Sequence, residues 1–233
     1  MDDYRWFESE TLFDRFPTDK TWIVGADAWR ERMRQFSFPS PAAVYEFLNA
    51  IRSASRARPT PQCPRVFVSH RQVDEKVARR LAWLAWNEGF DYWLDVIDLD
   101  PQRNQQVIAI EQSLGRSLTL VETAVLIAAI IEMALLNCTH VIAAMTRNTA
   151  GSQWVPYEYG RAKDAAPVSL QAACWRAPAL CSPLAEYLYL GEVLDSEQQI
   201  RAWLKGQMRG YPKCSGAHRN GWPEDEPDPL PTP

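Results

Sequence analysis

The sequence predicts an α/β fold built on a parallel β-sheet. Short apolar runs alternate with amphipathic segments along the chain, and this alternation is typical of parallel strands covered by helices on both faces. A length of 233 residues with 46% apolar content is sufficient for one such domain with extensions. A third observation is that polar residues directly follow several of the apolar runs, as they do in sheets that bind ligands at their carboxyl edge.

Five short strands are predicted, with helices between them. The first helix begins near Asp74, whose side chain can cap it, and ends at Gly89, because glycine readily adopts the left-handed conformation after a helix. The last helix directs Ile200, Trp203 and Leu204 towards the core. The predicted strands are residues 65–70, 90–95, 139–146, 167–174 and 186–190. The predicted helices are residues 74–88, 105–114, 121–137, 153–163 and 196–208.

Three regions follow from changes in composition. Residues 1–62 form a helical N-terminal extension and linker, because residues 42–53 have helical apolar spacing and a proline-rich stretch follows them. Residues 63–209 form the α/β domain. Residues 210–233 are rich in proline and acidic side chains and poor in apolar ones, so a disordered tail is expected.

Composition also excludes several classes of protein. The net charge is −4 and there is no sustained Lys or Arg run, so we expect no nucleic-acid partner. Five cysteines without a C-x-x-C pair argue against a disulfide framework or a metal site, and suit a reducing, cytoplasmic location. The longest apolar stretch contains Glu122 and Glu132, which favours a buried helix over a membrane span.

Candidate ligand-binding residues lie just after the predicted strands. Ser69, His70 and Arg71 follow the first strand, Asp95 follows the second, and residues 146–148 follow the third. Each has a structural alternative: His70 can be a hydrogen-bonded structural histidine, Arg71 can face solvent, and Asp95 can order its loop. His140 begins the third strand at the opposite end of the sheet and is therefore a poor candidate for chemistry.

The run of residues 152–161 is the most informative stretch. Ser152 can cap a helix on which Trp154 and Glu158 stand four residues apart and share one face. An indole beside a carboxylate can hold a flat, ribose-bearing ligand. Alternatively, Glu158 is an exposed helix glutamate and Trp154 packs against the sheet.

Five pieces of sequence in order resemble a TIR (Toll/interleukin-1 receptor) domain of the bacterial stand-alone type, over about residues 64–205. They are Val66-Phe-Val-Ser-His70 with Asp74; Tyr92-Trp-Leu-Asp95; Asp98-Leu-Asp-Pro101; residues 130–142; and Ser152-Gln-Trp-Val-Pro-Tyr-Glu158. Two features depart from that family. The stretch 102–126 is longer than usual and has Gln102 and Arg103 in place of the common glycine, and residues 1–60 have no counterpart.

The resemblance implies a flavodoxin-like fold and an enzyme that cleaves the nicotinamide–ribose bond of NAD. Glu158 would then be the catalytic residue, with NAD as substrate and no separate cofactor or metal. The oxocarbenium ion would react with water, with the adenine ring or with a foreign nucleophile, and the sequence leaves these products open. The substrate-binding residues would be Trp154, Ser69, His70, Arg71 and Asp95.

The resemblance also implies a biological setting. Such proteins commonly form homo-oligomers through TIR–TIR contacts, in bacterial anti-phage defence or signalling, in some cases with a separate effector protein. A membrane partner is not expected. The main alternative is a non-catalytic TIR module that recruits partners, and a third reading is a nucleoside-processing enzyme of related α/β fold.

Overall fold

The computed structural model describes residues 64–94, 138–149, 151–164, 171–178, 180, 185–211 and 225–231, with isolated positions between 117 and 135. Side chains of residues 161–164 are not described. The described residues fall into two compact units. One contains the described residues from 64–94 and from 138 onwards. The other contains the positions between 117 and 135, of which 120, 124, 128, 131, 132, 134 and 135 are helical, as predicted for this stretch.

The first unit is built on a five-stranded, all-parallel sheet, which confirms the predicted α/β class. The strand order is β2-β1-β3-β4-β5. Since β2 lies on one side of β1 and β3 on the other, the direction of winding reverses between β1 and β3. The strands are β1 (Arg65–Ser69), β2 (Asp91–Leu94), β3 (His140–Met145), β4 (Gln171–Arg176) and β5 (Glu192–Leu194).

The helices α1 (Glu75–Asn87), α2 (Trp154–Asp164) and α3 (Glu197–Met208) cover the sheet. Helix α1 packs on β1 and β2, α2 packs on β3 and β4, and α3 packs on α1. Right-handed crossovers that run in opposite directions along the sheet put α1 and α2 on opposite faces. Every residue of β3 is buried, as expected for a central strand covered on both faces.

The predicted boundaries of these helices hold to within about a residue, and most of the predicted capping residues act as expected. Gly89 follows α1 with φ of 102°, the positive value expected after a helix. Ser196 precedes α3 and its hydroxyl accepts the Gln199 N–H at 3.3 Å. The three residues predicted to face inward on α3 are buried. Asp74 precedes α1, but its side chain does not cap the helix; it bonds another loop instead.

Residues 186–190 were expected to form the fifth strand, and this prediction is wrong. They form a 3₁₀ helix, in which the Leu188 N–H donates to the Ala185 carbonyl at 3.0 Å and the Gly191 N–H to the Leu188 carbonyl at 3.2 Å. The free edge of β4 is paired by Glu192–Leu194 instead. The apolar run looked like a buried strand, yet Tyr189 and Leu190 are more than half exposed.

The fourth strand also differs from its prediction, since it spans Gln171–Arg176 rather than residues 167–174. Its register is fixed by pairing with β3, where His140 lies opposite Gln171. Residues 167–170 lie outside the described residues, and so do the N-terminal extension and the predicted helix at 105–114. The proline-rich tail is described over residues 225–231, which pack on the domain instead of being disordered.

Candidate functional site

The carboxyl ends of β1 and β3 meet where the winding of the sheet reverses. Ser69, the last residue of β1, lies opposite Ala143 of β3, and the loops that follow both strands leave the sheet at this edge. Open α/β sheets bind ligands beyond the carboxyl ends of their strands at this kind of reversal. This edge of the sheet is therefore the candidate site.

The central contact of the site joins Ser69 and Glu158, which are 89 residues apart in sequence. The Ser69 hydroxyl donates to Oε2 of Glu158 at 2.5 Å. Ser69 is fully buried, and Glu158 is only 2% exposed. A carboxylate removed from water requires hydrogen-bond donors, and Ser69 supplies one. The structure thus excludes the alternative that Glu158 is an ordinary exposed helix glutamate.

Helix α2 positions this carboxylate. The Ser152 hydroxyl accepts the Val155 N–H at 3.3 Å, as expected for a residue that caps a helix. Trp154 lies one turn before Glu158 and is only partly buried. Its ring meets that of Tyr157 edge to face, with centroids 5.8 Å apart. Because part of the indole stays accessible, its packing leaves room for contact with a flat ligand.

His70 directly follows Ser69 and has one unused ring nitrogen. Its Nδ1 lies 3.1 Å from the Val68 carbonyl oxygen. Since a carbonyl oxygen can only accept, Nδ1 carries the proton and Nε2 of the neutral ring is an acceptor. Nε2 is buried and has no hydrogen-bond partner among the described residues. Burial lowers the pKa of His70, which favours this neutral form at pH 7.

The loops after β1 and β3 are tied together by Asp74. Its carboxylate accepts the Thr146 hydroxyl at 2.7 Å and the Asn148 side-chain amide at 2.7 Å. Arg71, which is exposed, donates to the Asn148 backbone carbonyl at 2.8 Å. A buried carboxylate with two donors fixes two loops that are more than 70 residues apart in sequence. The exposed guanidinium of Arg71 is thereby held at the rim of this edge.

The sequence identified these residues singly, but not the link made by Asp74. The signals were present: an aspartate shortly after the first strand, and Thr146 and Asn148 directly after the third. A helix-capping role explained the aspartate equally well from sequence, so its cross-loop role could not be selected. Asp95, predicted to contact substrate, lies outside the described residues.

The structure brings together Ser69 and Glu158, and places His70 and Arg71 on the same strand end. Within the described residues there is no cluster of three or more His, Cys, Asp or Glu side chains suited to a metal ion. Among the described helices, none combines the length and apolar character required to cross a bilayer.

Searches against protein-family models, curated proteins and solved structures found no match. The chemistry of the site therefore follows from its own residues. A buried carboxylate interacts more strongly with a nearby positive charge than an exposed one, because little water screens it. It can also accept hydrogen bonds from the hydroxyls of a bound sugar.

Proposed function

We propose that this chain is a TIR-type enzyme of flavodoxin-like fold that cleaves the nicotinamide–ribose bond of NAD. The observation that carries the proposal is the buried Glu158 carboxylate, held by the Ser69 hydroxyl at 2.5 Å at the carboxyl edge of the sheet. The strand order 2-1-3-4-5 supports it, because that order is typical of doubly wound sheets with a nucleotide site between β1 and β3.

The proposed chemistry needs a single carboxylate. Breaking the bond between nicotinamide and ribose develops positive charge on the sugar, in an oxocarbenium-like transition state. Glu158 would stabilise this charge electrostatically. Nicotinamide departs as a neutral base, so its departure needs no strong acid. Ser69 would hold the carboxylate in the orientation in which it faces the ribose.

The other residues of the edge have supporting roles in this proposal. Trp154 would stack on a flat part of the substrate. His70 would accept a hydrogen bond at Nε2, its unused ring nitrogen. Arg71 would attract the diphosphate. Water, the adenine ring or a foreign nucleophile would then capture the ribosyl cation.

The test is nicotinamide release from NAD by the full chain, measured by chromatography with mass spectrometry of the products. We expect Glu158→Gln to reduce the rate about a hundredfold or more, because the amide keeps the shape and loses the charge. Glu192→Gln is the matched control, since Glu192 is exposed on β5, and it should retain full activity. Equal rates in wild type and Glu158→Gln would reject the assigned role.

The assay should cover rising protein concentration and a crowding agent, because self-association through TIR–TIR contacts is part of the proposal. The alternative is a non-catalytic interaction module, and the 2% exposure of Glu158 is the observation in its favour. In that case concentration-dependent assembly would occur without nicotinamide release under any condition.

A further inference from the structure

The proline-rich segment Asp225–Pro231 lies against α1 and α3. Proline occupies positions 227, 229 and 231, and the segment forms no helix or strand. Most of its residues are exposed, whereas Leu230 is only 4% exposed. One buried apolar residue within an otherwise mostly exposed segment is an arrangement by which short peptides bind to folded domains.

The surface that receives the segment is organised by Arg80, a buried arginine on α1. Its guanidinium meets the Glu197 carboxylate of α3 with two hydrogen bonds, from Nε at 2.7 Å and from Nη2 at 2.9 Å. The same guanidinium lies 4.1 Å from the centroid of the Trp83 ring. The two parallel hydrogen bonds hold the Arg80 and Glu197 side chains in fixed positions.

Both members of this pair also bind the segment. Arg80 Nη1 donates to the Glu226 carboxylate at 2.7 Å and to the Pro227 carbonyl at 2.8 Å. Glu197 Oε1 accepts the Leu230 backbone N–H at 2.8 Å. Burial alone would raise the pKa of Glu197, but the bonds from Arg80 and Leu230 outweigh it and the pKa is lowered. Two side chains thus recognise a carboxylate, a carbonyl and an N–H at a defined spacing.

Among the described residues, the side chains that bond this segment lie on helices α1 and α3 and not on the sheet. The segment is held by bonds to Arg80 and Glu197 and by the burial of Leu230, and those two side chains already satisfy each other. The prolines restrict the unbound segment, so that little conformational entropy is lost when it docks. Such a segment can leave without removing a strand or a helix from the fold.

We infer that the α1/α3 face is a peptide-binding site for a Glu-Pro-Asp-Pro-Leu segment, and that residues 225–231 occupy it as an exchangeable ligand. The occupant is the chain's own C-terminal segment, which reaches the site at high effective concentration because it is tethered. This site uses Arg80 and Glu197, neither of which belongs to the Ser69–Glu158 contact, and it does not depend on the proposed NAD chemistry.

Binding in trans tests the inference. A full-length double variant, Glu226→Gln with Leu230→Asp, should release its own segment. A fluorescent peptide of residues 224–233 should then bind this variant saturably, and bind wild type at least about tenfold more weakly, because the tethered segment competes. No binding to the variant, or equal affinity for both proteins, would overturn the inference.

Two altered peptides define the specificity. Leu230→Asp in the peptide removes its buried residue and should abolish binding. Asp228→Asn changes an exposed position and should bind like the unaltered peptide. If both changes have the same effect, the segment is held by general charge attraction and the proposed recognition is wrong.

Hydrogen exchange on the wild-type chain gives a test that needs no variant. An exchangeable segment opens locally, so the Leu230 amide should exchange much faster than the amides of the buried α1 residues, such as Leu84. Equal protection of both amides would mean that the segment leaves only on global unfolding, and it would then be an integral part of the fold. Circular dichroism should likewise show that the double variant keeps its cooperative unfolding.

Discussion

The two ends of the central strands β1 and β3 are polar in different ways. At the amino end, the Thr139 hydroxyl accepts the Arg65 N–H at 2.8 Å and lies 2.7 Å from Nδ1 of His140. The His140 ring is enclosed by Phe90, Trp203 and Tyr211, with ring centroids 5.1 to 6.1 Å away. At this end, the polar side chains Thr139 and His140 contact other residues of the domain and are buried.

At the carboxyl end, some polar groups keep unused hydrogen-bonding capacity. His70 has a buried acceptor without a partner among the described residues, and Arg71 is exposed. Glu158 carries a side-chain carboxylate that is almost fully removed from water. Buried polar residues are present at both ends, so burial alone does not distinguish them. The unused ring nitrogen of His70 is found at the carboxyl end, where parallel sheets bind their ligands.

The largest expected effect is on the pH dependence of stability and comes from His140 at the amino end of the strands. Burial lowers the pKa of His140 to about 4, although a hydrogen bond between its ring and the Gln207 side chain opposes this shift. In the unfolded chain His140 titrates near pH 6.5, whereas in the folded chain it stays neutral until about pH 4. Below pH 6.5 the unfolded chain therefore binds a proton that the folded chain does not. The free energy of unfolding is thus highest above pH 6.5 and falls as the pH drops towards 4. The loss should approach about 3 kcal/mol.

Urea unfolding of wild type and His140→Phe across this pH range measures the effect. The phenylalanine cannot titrate, so wild type should lose stability relative to the variant as the pH falls from 6.5 towards 4. Parallel curves would show that His140 is not closed off from protons. Nicotinamide release at pH 7 should be unchanged in this variant.

The next effect concerns the hydrogen bond between Ser69 and Glu158 at the carboxyl end of the strands. Ser69→Ala removes the donor to Glu158, a charge-assisted hydrogen bond worth about 1.5–3 kcal/mol. We expect the rate of nicotinamide release to fall about tenfold to a hundredfold. Ser69→Thr keeps a hydroxyl and should recover most of the rate. If alanine and threonine behave alike, the hydroxyl does not act through the carboxylate.

The smallest effect concerns the two histidines. His70→Phe removes the unused acceptor Nε2 at the carboxyl end of the strands. It should raise the KM for NAD about two- to tenfold and leave kcat unchanged, because one neutral hydrogen bond to the substrate is lost. His140→Phe at the amino end of the strands should leave the KM for NAD unchanged. The same change in both variants would remove the distinction between the two ends.

Much of the fold could be predicted because it depends on local patterns. The apolar runs of β1 and β3, the glycine after α1 and the serine before α3 are sufficient to locate those elements. Residues 186–190 show the limit of such reasoning. An apolar run of that length suits a buried strand and an irregular turn equally well, and only the pairing of β4 with Glu192–Leu194 decides between them.

The α/β class, the residues at the strand ends and the helix that carries Trp154 and Glu158 could all be predicted from the sequence. Each of these follows from the spacing of apolar residues or from capping signals within a few positions. Three contacts could be seen only in the folded chain: Ser69 bonds Glu158, Asp74 joins two loops, and Arg80 binds residues 226 and 227. These contacts link residues 72 to 147 positions apart, and such pairs are set by how the sheet is ordered and how the helices pack on it, which no local pattern encodes.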